Sequence, residues 1–403
     1  MYSEISHHIL PEPPQELKCV SEELAAVIRA KITKSGPISF SDYMEAALYE
    51  PGLGYYSAGL QKFGEGGDFV TAPQLGNVFA RCLANQIGQV GAGLYRQDSG
   101  QYEIMEAGAG SGVLAADLLK ALQDNHPPAR YRILERSAHL RQVQKETLSQ
   151  SVPQWMDKIS WLDGPPEANW HGVFLANEVL DALTVERFCI EADGIKQLQV
   201  IDGPDGFGWA KGPCAEPMQT KIQAILSRLE KTPAAGYRSE LNVSLPAWLQ
   251  AVTASLQKGM ALFIDYGYTR HDYYQPQRSD GTLICHYQQR AHNDPFKWPG
   301  LTDISASVDF TALAEAADDC GLEVCGYTTQ AMFLLGCGLD RVLAESQFLC
   351  EREKLKVNNQ VRQLTLPGEM GERFQVMALS RGLDEDLANN LQGFKITDLC
   401  HRL

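Results

Sequence analysis

A glycine-rich turn between an apolar segment and a helical segment restricts the folds that this chain can adopt. Residues 102–107 (YEIMEA) predict a buried strand, and residues 112–123 predict a helix with an apolar face. The turn between them carries Gly108, Gly110 and Gly112. Glycine allows a tight bend and lets a ligand approach the backbone closely. The pattern therefore predicts a strand, a narrow turn and a helix that open a βαβ unit.

The same alternation continues along the chain and predicts an α/β fold with a parallel sheet. Amphipathic spacing predicts helices between the strands, for example at residues 138–148 and 310–320. The short apolar runs that predict the later strands are 131–134, 159–162, 172–176, 261–265, 322–328 and 374–379.

The length of 403 residues is sufficient for two domains, or for one large domain with insertions. The segment around Asp193 and Gly194 predicts an antiparallel hairpin inserted into the core. We divide the chain into a loose N-terminus (1–17), a helical N-terminal block with a lid loop (18–98), the first part of the core (99–186), an inserted hairpin and helices (187–258), the rest of the core with an irregular insertion at 270–308 (259–382), and a C-terminal tail (383–403).

The composition restricts the partners and the compartment. A net charge of -15 argues against nucleic acid, because nucleic-acid binders normally present a basic face, and it favours a basic partner. Ten scattered cysteines without a CxxC pair indicate reduced thiols in a cytoplasmic protein and no metal site. The apolar runs are too short to span a bilayer, so we expect no membrane insertion. The sequence leaves the oligomeric state open.

An acidic residue follows the second predicted strand. Glu135 lies 23 residues after Gly112, where a carboxylate of a nucleotide-binding sheet accepts hydrogen bonds from ribose hydroxyls. Arg136 follows directly, so a surface ion pair is the alternative. The turn reads GxGxG and not GxGxxG, which disfavours a nicotinamide-dependent oxidoreductase.

The fourth predicted strand ends in polar side chains. Asn177 and Glu178 follow the apolar run, and Asp181 comes shortly after them. Because the carboxyl ends of strands face the ligand crevice of an open α/β sheet, we predict all three as catalytic residues. The alternatives are that Asn177 caps a helix and that Asp181 is exposed to solvent.

The fifth predicted strand ends in the same way. Asp265, Tyr266 and Tyr268 follow its apolar run, and the same strand-end argument predicts that they contact the substrate. The alternative is that they only terminate the strand and pack the loop that follows.

Several segments together resemble one protein family. The stretches GDFVTAPQ, MEAGAGSGVLAADLL, ANEVLDAL, FIDYGY and ISASVDFTAL are similar, in this order, to motifs of the MidA family of S-adenosyl-L-methionine (SAM)-dependent methyltransferases. The resemblance covers roughly residues 20–382. It implies SAM as cofactor and a class I methyltransferase fold, with a Rossmann-like sheet that is mostly parallel and has an antiparallel last strand.

The resemblance also implies roles for individual residues. Glu106 would lie near the methionine moiety of SAM, and Glu135 would bind the ribose. The residues implied to bind the cofactor are Glu106, Gly108, Ala109, Gly110, Gly112, Glu135, Gly67, Asp68, Phe69, Thr71 and Pro73. The family further implies methyl transfer to a protein arginine, in mitochondrial members on a respiratory-complex subunit. An arginine acceptor needs carboxylates to hold its guanidinium, and Glu178 and Asp181 are the candidates.

The chain departs from the family pattern at three positions. Family members usually have an acidic residue where this chain has Gln74, a histidine where it has Ser307 and a proline where it has Thr184. These differences keep a second function open, in which the chain retains the fold and acts as an assembly or binding protein with weak or no methyl transfer.

Overall fold

The computed structural model describes residues 10–58, 72–97, 101–124 and 126–403. The chain separates into two compact units. The first comprises Met1–Phe69, Asp181–Leu245 and Tyr268–Ser307, and the second comprises Val70–Leu180, Pro246–Gly267 and Val308–Leu403. Each unit is therefore built from segments that are distant in the sequence.

The helices and strands of the described residues are numbered in chain order. The helices are α1 (Gln15–Ser35), α2 (Phe40–Tyr49), α3 (Ala72–Leu75), α4 (Val78–Gln97), α5 (Val113–Leu122), α6 (Ala138–Ser151), α7 (Glu216–Ser227), α8 (Leu245–Thr253), α9 (Arg270–Tyr273), α10 (Phe310–Asp319), α11 (Gln330–Gly336), α12 (Leu339–Ser346), α13 (Glu351–Thr365), α14 (Met370–Arg373) and α15 (Glu385–Ala388). The strands are β1 (Ile38–Ser39), β2 (Glu103–Ala107), β3 (Arg130–Leu134), β4 (Ile159–Leu162), β5 (Trp170–Asn177), β6 (Glu186–Glu191), β7 (Gly194–Gly203), β8 (Gly206–Pro213), β9 (Arg238–Leu241), β10 (Leu256–Tyr268), β11 (Ile284–Tyr287), β12 (Arg290–His292), β13 (Asp303–Ser305), β14 (Val308–Asp309), β15 (Glu323–Thr329) and β16 (Phe374–Arg381). Short 3-10 helices lie at Pro153–Lys158, Gln392–Phe394 and Cys400–Arg402.

The second unit contains a sheet with the strand order β15-β16-β10-β5-β2-β3-β4, and β14 also pairs with β10. All pairs from β10 through β5, β2 and β3 to β4 are parallel. In contrast, β16 runs antiparallel to both of its neighbours, β10 and β15. This mostly parallel sheet with an antiparallel last strand confirms the predicted fold class.

The central strands of this sheet are buried on both faces. Residues 172–176 of β5 are buried, and Phe174 packs against Phe263 of β10 with ring centroids 5.9 Å apart. A central parallel strand is covered on both sides, which explains why its sequence is a continuous apolar run and does not alternate.

The strand β10 is longer than the sequence predicts, because it begins at Leu256 and not at residue 261. Gly259 accounts for the difference. The backbones of β10 and β5 approach so closely that a Cβ on Gly259 would lie 1.9 Å from the carbonyl oxygen of Gly172. A glycine at this position marks close backbone approach inside a strand and not a turn before it.

The first unit contains an antiparallel sheet with the order β1-β7-β6-β9, to which β8 is added beside β7. The hairpin predicted around Asp193 and Gly194 is present as β6 and β7, whose pairing ends at Glu191↔Gly194. Its core includes Phe40 and Tyr43 of α2, both fully buried.

The segment 270–308 differs from the predicted irregular insertion. It contains α9 and a second antiparallel sheet with the order β12-β11-β13. The hairpin between β11 and β12 turns at Gln288 and Gln289, which both have positive φ values, 46° and 60°.

Three further expectations concern membrane-spanning helices, metal sites and cysteines. Among the described residues, none of the helices is both long and apolar enough to cross a membrane, and no three His, Cys, Asp or Glu side chains are placed to hold a metal ion. All ten cysteines are described and unpaired. Burial raises the pKa of the Cys82 thiol to about 12, which keeps it protonated and unreactive at neutral pH.

Candidate cofactor and catalytic site

The glycine turn between β2 and α5 has a backbone that side chains rarely permit. Gly108, Gly110 and Gly112 have φ values of 62°, 52° and 81°. The N–H of Gly108 donates to the carbonyl of Leu134 at 3.0 Å, so the turn starts beside the end of β3. A Cβ on Gly108 would lie 3.0 Å from Cγ2 of Val179. The turn is therefore both conformationally strained for other residues and closely packed.

The predicted ribose residue Glu135 follows β3 directly and lies next to this turn. The residue is 8% exposed. Oε1 accepts the N–H of Ser137 at 2.9 Å, and Oε2 accepts Nε2 of Gln144 at 3.1 Å. Burial raises the pKa of Glu135, and the hydrogen bonds from Ser137 and Gln144 act against that rise. The backbone N–H of Arg136 also hydrogen-bonds to this carboxylate and lowers its pKa.

The sequence reasoning did not single out Gln144, which lies on α6 and is fully buried. Its Nε2 donates to the carbonyl of Gly110 at 3.0 Å as well as to Glu135. Its Oε1 accepts Nε1 of Trp161 at 2.9 Å. A single polar residue on an otherwise ordinary amphipathic helix gives no sequence signal for such a role.

Glu106, near the end of β2, is 2% exposed and accepts the hydroxyl of Tyr131 at 2.7 Å. The pKa of Glu106 is raised to about 7. Burial is the main cause of the rise, the hydrogen bond from Tyr131 opposes it, and the charge of Glu135 adds to it. This carboxyl therefore changes its charge within the physiological pH range.

The end of β5 carries strain at a predicted catalytic residue. Glu178 has a φ of 53°, which is unusual for a residue with a side chain. Its N–H donates to the carbonyl of Ile264 at 2.9 Å, and its Oε1 accepts Nδ2 of Asn177 at 3.2 Å. Oδ1 of Asn177 is buried and has no hydrogen-bond partner among the described residues. Backbone strain of this kind often marks a functional position.

Asp265 of β10 holds the loop that follows Glu178. Its Oδ2 accepts the N–H groups of Val179 and Leu180 at 3.2 and 2.9 Å, and its Oδ1 accepts the N–H of Tyr266 at 2.9 Å. The ring of Tyr266 packs edge-on against Phe374, with centroids 5.7 Å apart. The carboxylate therefore has a clear structural role, and the predicted substrate contacts of both residues stay a prediction.

The remaining predicted residues belong to α3, to the first unit or to the part of the chain that is not described. Pro73 belongs to the short helix α3 of the second unit. Asp181 and Tyr268 belong to the first unit, where Asp181 is 8% exposed and its carbonyl accepts the N–H of Ala306, while the ring of Tyr268 lies 3.9 Å from the guanidinium carbon of Arg278. The lid residues outside the described part of the chain are Gly67, Asp68, Phe69 and Thr71.

Two of the departures from the family pattern take part in hydrogen bonds of the first unit. Thr184, where a proline is usual, accepts the hydroxyl of Ser41 at 2.9 Å. The N–H of Ser307 donates to the hydroxyl oxygen of Thr282 at 3.2 Å. Both residues are thus held by hydrogen bonds within the first unit.

The family model described as "Putative S-adenosyl-L-methionine-dependent methyltransferase" matches residues 79–328, more than half of the chain. The chain belongs to this family. The matched region contains the glycine turn, Glu135, Glu178 and Asp265. Membership confirms the resemblance inferred from the motifs and excludes the oxidoreductase alternative.

Individual proteins support the assignment over most of the chain. A crystal structure of a Burkholderia thailandensis protein bound to S-adenosyl-homocysteine is 42% identical, with a TM-score of 0.91, and the match covers 98% of this chain and 100% of that one. The mitochondrial protein arginine methyltransferase NDUFAF7 homolog of Drosophila melanogaster is 28% identical over 92% of this chain and 90% of its own length. Mitochondrial NDUFAF7 of Rattus norvegicus is 29% identical over 87% of this chain and 82% of its own length.

Proposed function

We propose that this methyltransferase binds SAM at the glycine turn of the second unit and transfers its methyl group to a protein arginine. The observation that carries the cofactor part is the carboxylate of Glu135. It is buried beside the turn and oriented by Ser137 and Gln144. Each carboxylate oxygen can accept more than one hydrogen bond, so both oxygens can also accept ribose hydroxyls.

The turn residues complete the cofactor fit. Methyl groups at Gly108 or Gly112 would press on Val179 and on the backbone of Gln144, at 3.0 and 3.2 Å. Glycine thus keeps the backbone open to a ligand while the turn stays packed. The residues proposed to bind SAM are Glu106, Gly108, Ala109, Gly110, Gly112 and Glu135, together with Gly67, Asp68, Phe69, Thr71 and Pro73. SAM supplies an activated methyl group, and the protein supplies orientation and excludes water.

An arginine that receives the methyl group must find hydrogen-bond acceptors for its guanidinium in the site. Arginine stays protonated, with a pKa above about 12, so it must be held by carboxylates or other oxygens. Glu178 offers a carboxylate in a strained backbone, and Asn177 offers a buried amide oxygen without a partner in the described residues. Asp181 is the second carboxylate of the proposal, and Asp265, Tyr266 and Tyr268 are the proposed substrate contacts.

The relatives and the charge support this acceptor. Curated relatives from fly and rat are named protein arginine methyltransferases. A net charge of -15 attracts a basic protein segment. The proposal extends to a respiratory-complex subunit as acceptor and, because the cysteines are unpaired, to a cytoplasmic location. The named relatives are mitochondrial, so the location is a separate question from the reaction.

The test uses Glu178→Gln, with Glu167→Gln as the control because Glu167 is exposed and precedes β5, whereas Glu178 follows the other end of that strand. Calorimetry with S-adenosyl-homocysteine measures cofactor binding, and radiolabelled SAM with a cell lysate measures transfer. We expect Glu178→Gln to bind the cofactor like the wild type but to lose transfer by at least about 100-fold, since one charge-assisted contact to the acceptor contributes several kcal/mol.

The outcomes separate the competing functions. Mass spectrometry of the labelled protein identifies the methylated residue, and a label on a residue other than arginine overturns the acceptor. Full activity of Glu178→Gln removes Glu178 from the mechanism. Cofactor binding without any labelled protein supports the alternative that Gln74 and Ser307 keep open, an assembly or binding protein that does not transfer methyl.

A further inference from the structure

We propose that Gln144 is a positioning residue that aligns the carboxylate of Glu135 with the glycine turn. The carboxylate is then already oriented to bind the ribose when the cofactor arrives. This inference rests on the proposed SAM site. Gln144 is fully buried, and its amide links three parts of the second unit: the turn at Gly110, the end of β3 at Glu135, and β4 at Trp161.

The chemistry of its partners determines the orientation of the amide. The indole N–H of Trp161 can only donate, so it requires the amide oxygen of Gln144 at 2.9 Å. The carbonyl of Gly110 and the carboxylate of Glu135 can only accept, so they require the amide nitrogen, at 3.0 and 3.1 Å. Both amide hydrogens and one oxygen lone pair are therefore used, and a flipped amide would lose all three bonds.

The partners of Glu135 show that this role belongs to Gln144 in particular. Arg141, on the same helix, donates to the main-chain carbonyl of Glu135 at 2.7 Å and not to its carboxylate. Ser137 donates to Oε1 through its backbone N–H. The side chain of Gln144 donates both to the Glu135 carboxylate and to the carbonyl of Gly110, and so ties that carboxylate to the turn.

Close packing restricts the movement of Gln144 relative to the glycine turn. The backbone of Gln144 lies so near the turn that a Cβ on Gly112 would be 3.2 Å from its Cα. Gly110, whose carbonyl accepts one of the two donated bonds, has a φ of 52°. The turn and the Glu135 carboxylate are therefore joined through the side chain of Gln144. A binding group aligned in advance avoids the entropy of being ordered when the ligand arrives.

The test compares Gln144→Leu with Gln142→Leu, a matched change of an exposed glutamine on the same helix. Calorimetry measures binding of S-adenosyl-homocysteine and of its 2′,3′-dideoxy analogue, which lacks the ribose hydroxyls. We expect Gln144→Leu to weaken S-adenosyl-homocysteine binding about 10- to 100-fold, because an oriented hydrogen-bonding group is lost. The same variant should bind the dideoxy analogue within about 2-fold of the wild type, and Gln142→Leu should change neither.

A second variant covers the case that Gln144→Leu does not fold. Trp161→Phe leaves Gln144 in place but releases its amide oxygen, and we expect a smaller loss, about 3-fold, again confined to the ligand with ribose hydroxyls. Equal losses for both ligands, or no loss in either variant, would overturn the positioning role. If the wild-type protein fails to bind S-adenosyl-homocysteine at all, the proposed function fails, which is a different result.

Discussion

The buried carboxyl of Glu106 makes the stability of the protein depend on pH in a way that one substitution isolates. Burial raises its pKa from 4.5 to about 7 in the folded chain. Below pH 4.5 the carboxyl is neutral in both the folded and the unfolded chain. Between pH 4.5 and 7 the unfolded chain releases the proton while the folded chain keeps it, so the stability from this group falls as the pH rises.

The magnitude follows from the size of the pKa shift. At about 1.36 kcal/mol per pKa unit, the wild-type chain is about 3 kcal/mol less stable above pH 7 than below pH 4.5 on account of this group. Glu106→Gln keeps an oxygen that accepts the hydroxyl of Tyr131 but carries no charge at any pH. We therefore expect Glu106→Gln to gain about 3 kcal/mol relative to the wild type between pH 4.5 and 8.

The assay is thermal unfolding of both proteins at pH 5 and pH 8. An unfolding entropy of about 2.1 cal/mol/K per residue converts 3 kcal/mol into a Tm difference of about 3–4 °C for the whole chain. The control is Glu323→Gln, an exposed residue at the start of β15, which should show the same difference from the wild type at both pH values. If the Tm of Glu106→Gln relative to the wild type does not rise from pH 5 to pH 8, the buried carboxyl is ionised throughout and the reasoning is refuted.

Two further substitutions test the turn and the first unit. Gly110→Val places a β-branched side chain at a φ of 52°, so we expect it to abolish S-adenosyl-homocysteine binding in calorimetry, and unchanged affinity contradicts the location of the site. Arg187→Met removes the partner of the fully buried Glu240, at 3.2 Å, and should cost about 3–5 kcal/mol in chemical denaturation. Arg238→Met, whose side chain is half-exposed, is the control and should cost at most about 1 kcal/mol. Equal effects of the two arginine changes would contradict a special role for the buried pair.

The parallel sheet and the strand-end residues could be predicted because their signals are local. Each central strand is a short apolar run, and the polar residue that follows it marks the edge where ligands bind. Glu135 and Glu178 are predicted in this way, and in the structure they directly follow β3 and β5. Gln144 could not be found, because its burial depends on Trp161 and on the backbone of the turn, and neither is adjacent to it in sequence.

The hairpin of β11 and β12 was missed for a different physical reason. A two-residue hairpin turn with two positive φ values normally carries Asn or Gly, which tolerate that backbone. Here the turn is formed by Gln288 and Gln289, with φ values of 46° and 60°. The sequence therefore has no turn signal, and the tertiary structure imposes a conformation that the local residues do not favour.

The carboxyl groups near the ends of three strands show that position at a sheet edge does not by itself assign a role. Burial raises the pKa of Glu106 and so favours its neutral form. Glu135 is oriented by side-chain and backbone donors. Asp265 instead accepts three backbone N–H groups, two of them from the residues directly after Glu178. A strained residue such as Glu178 costs about 1–3 kcal/mol, and it persists only where its surroundings hold it. The carboxylate of Asp265 fixes the two residues after Glu178 through their N–H groups. The position of the proposed catalytic glutamate therefore depends on the neighbouring strand β10.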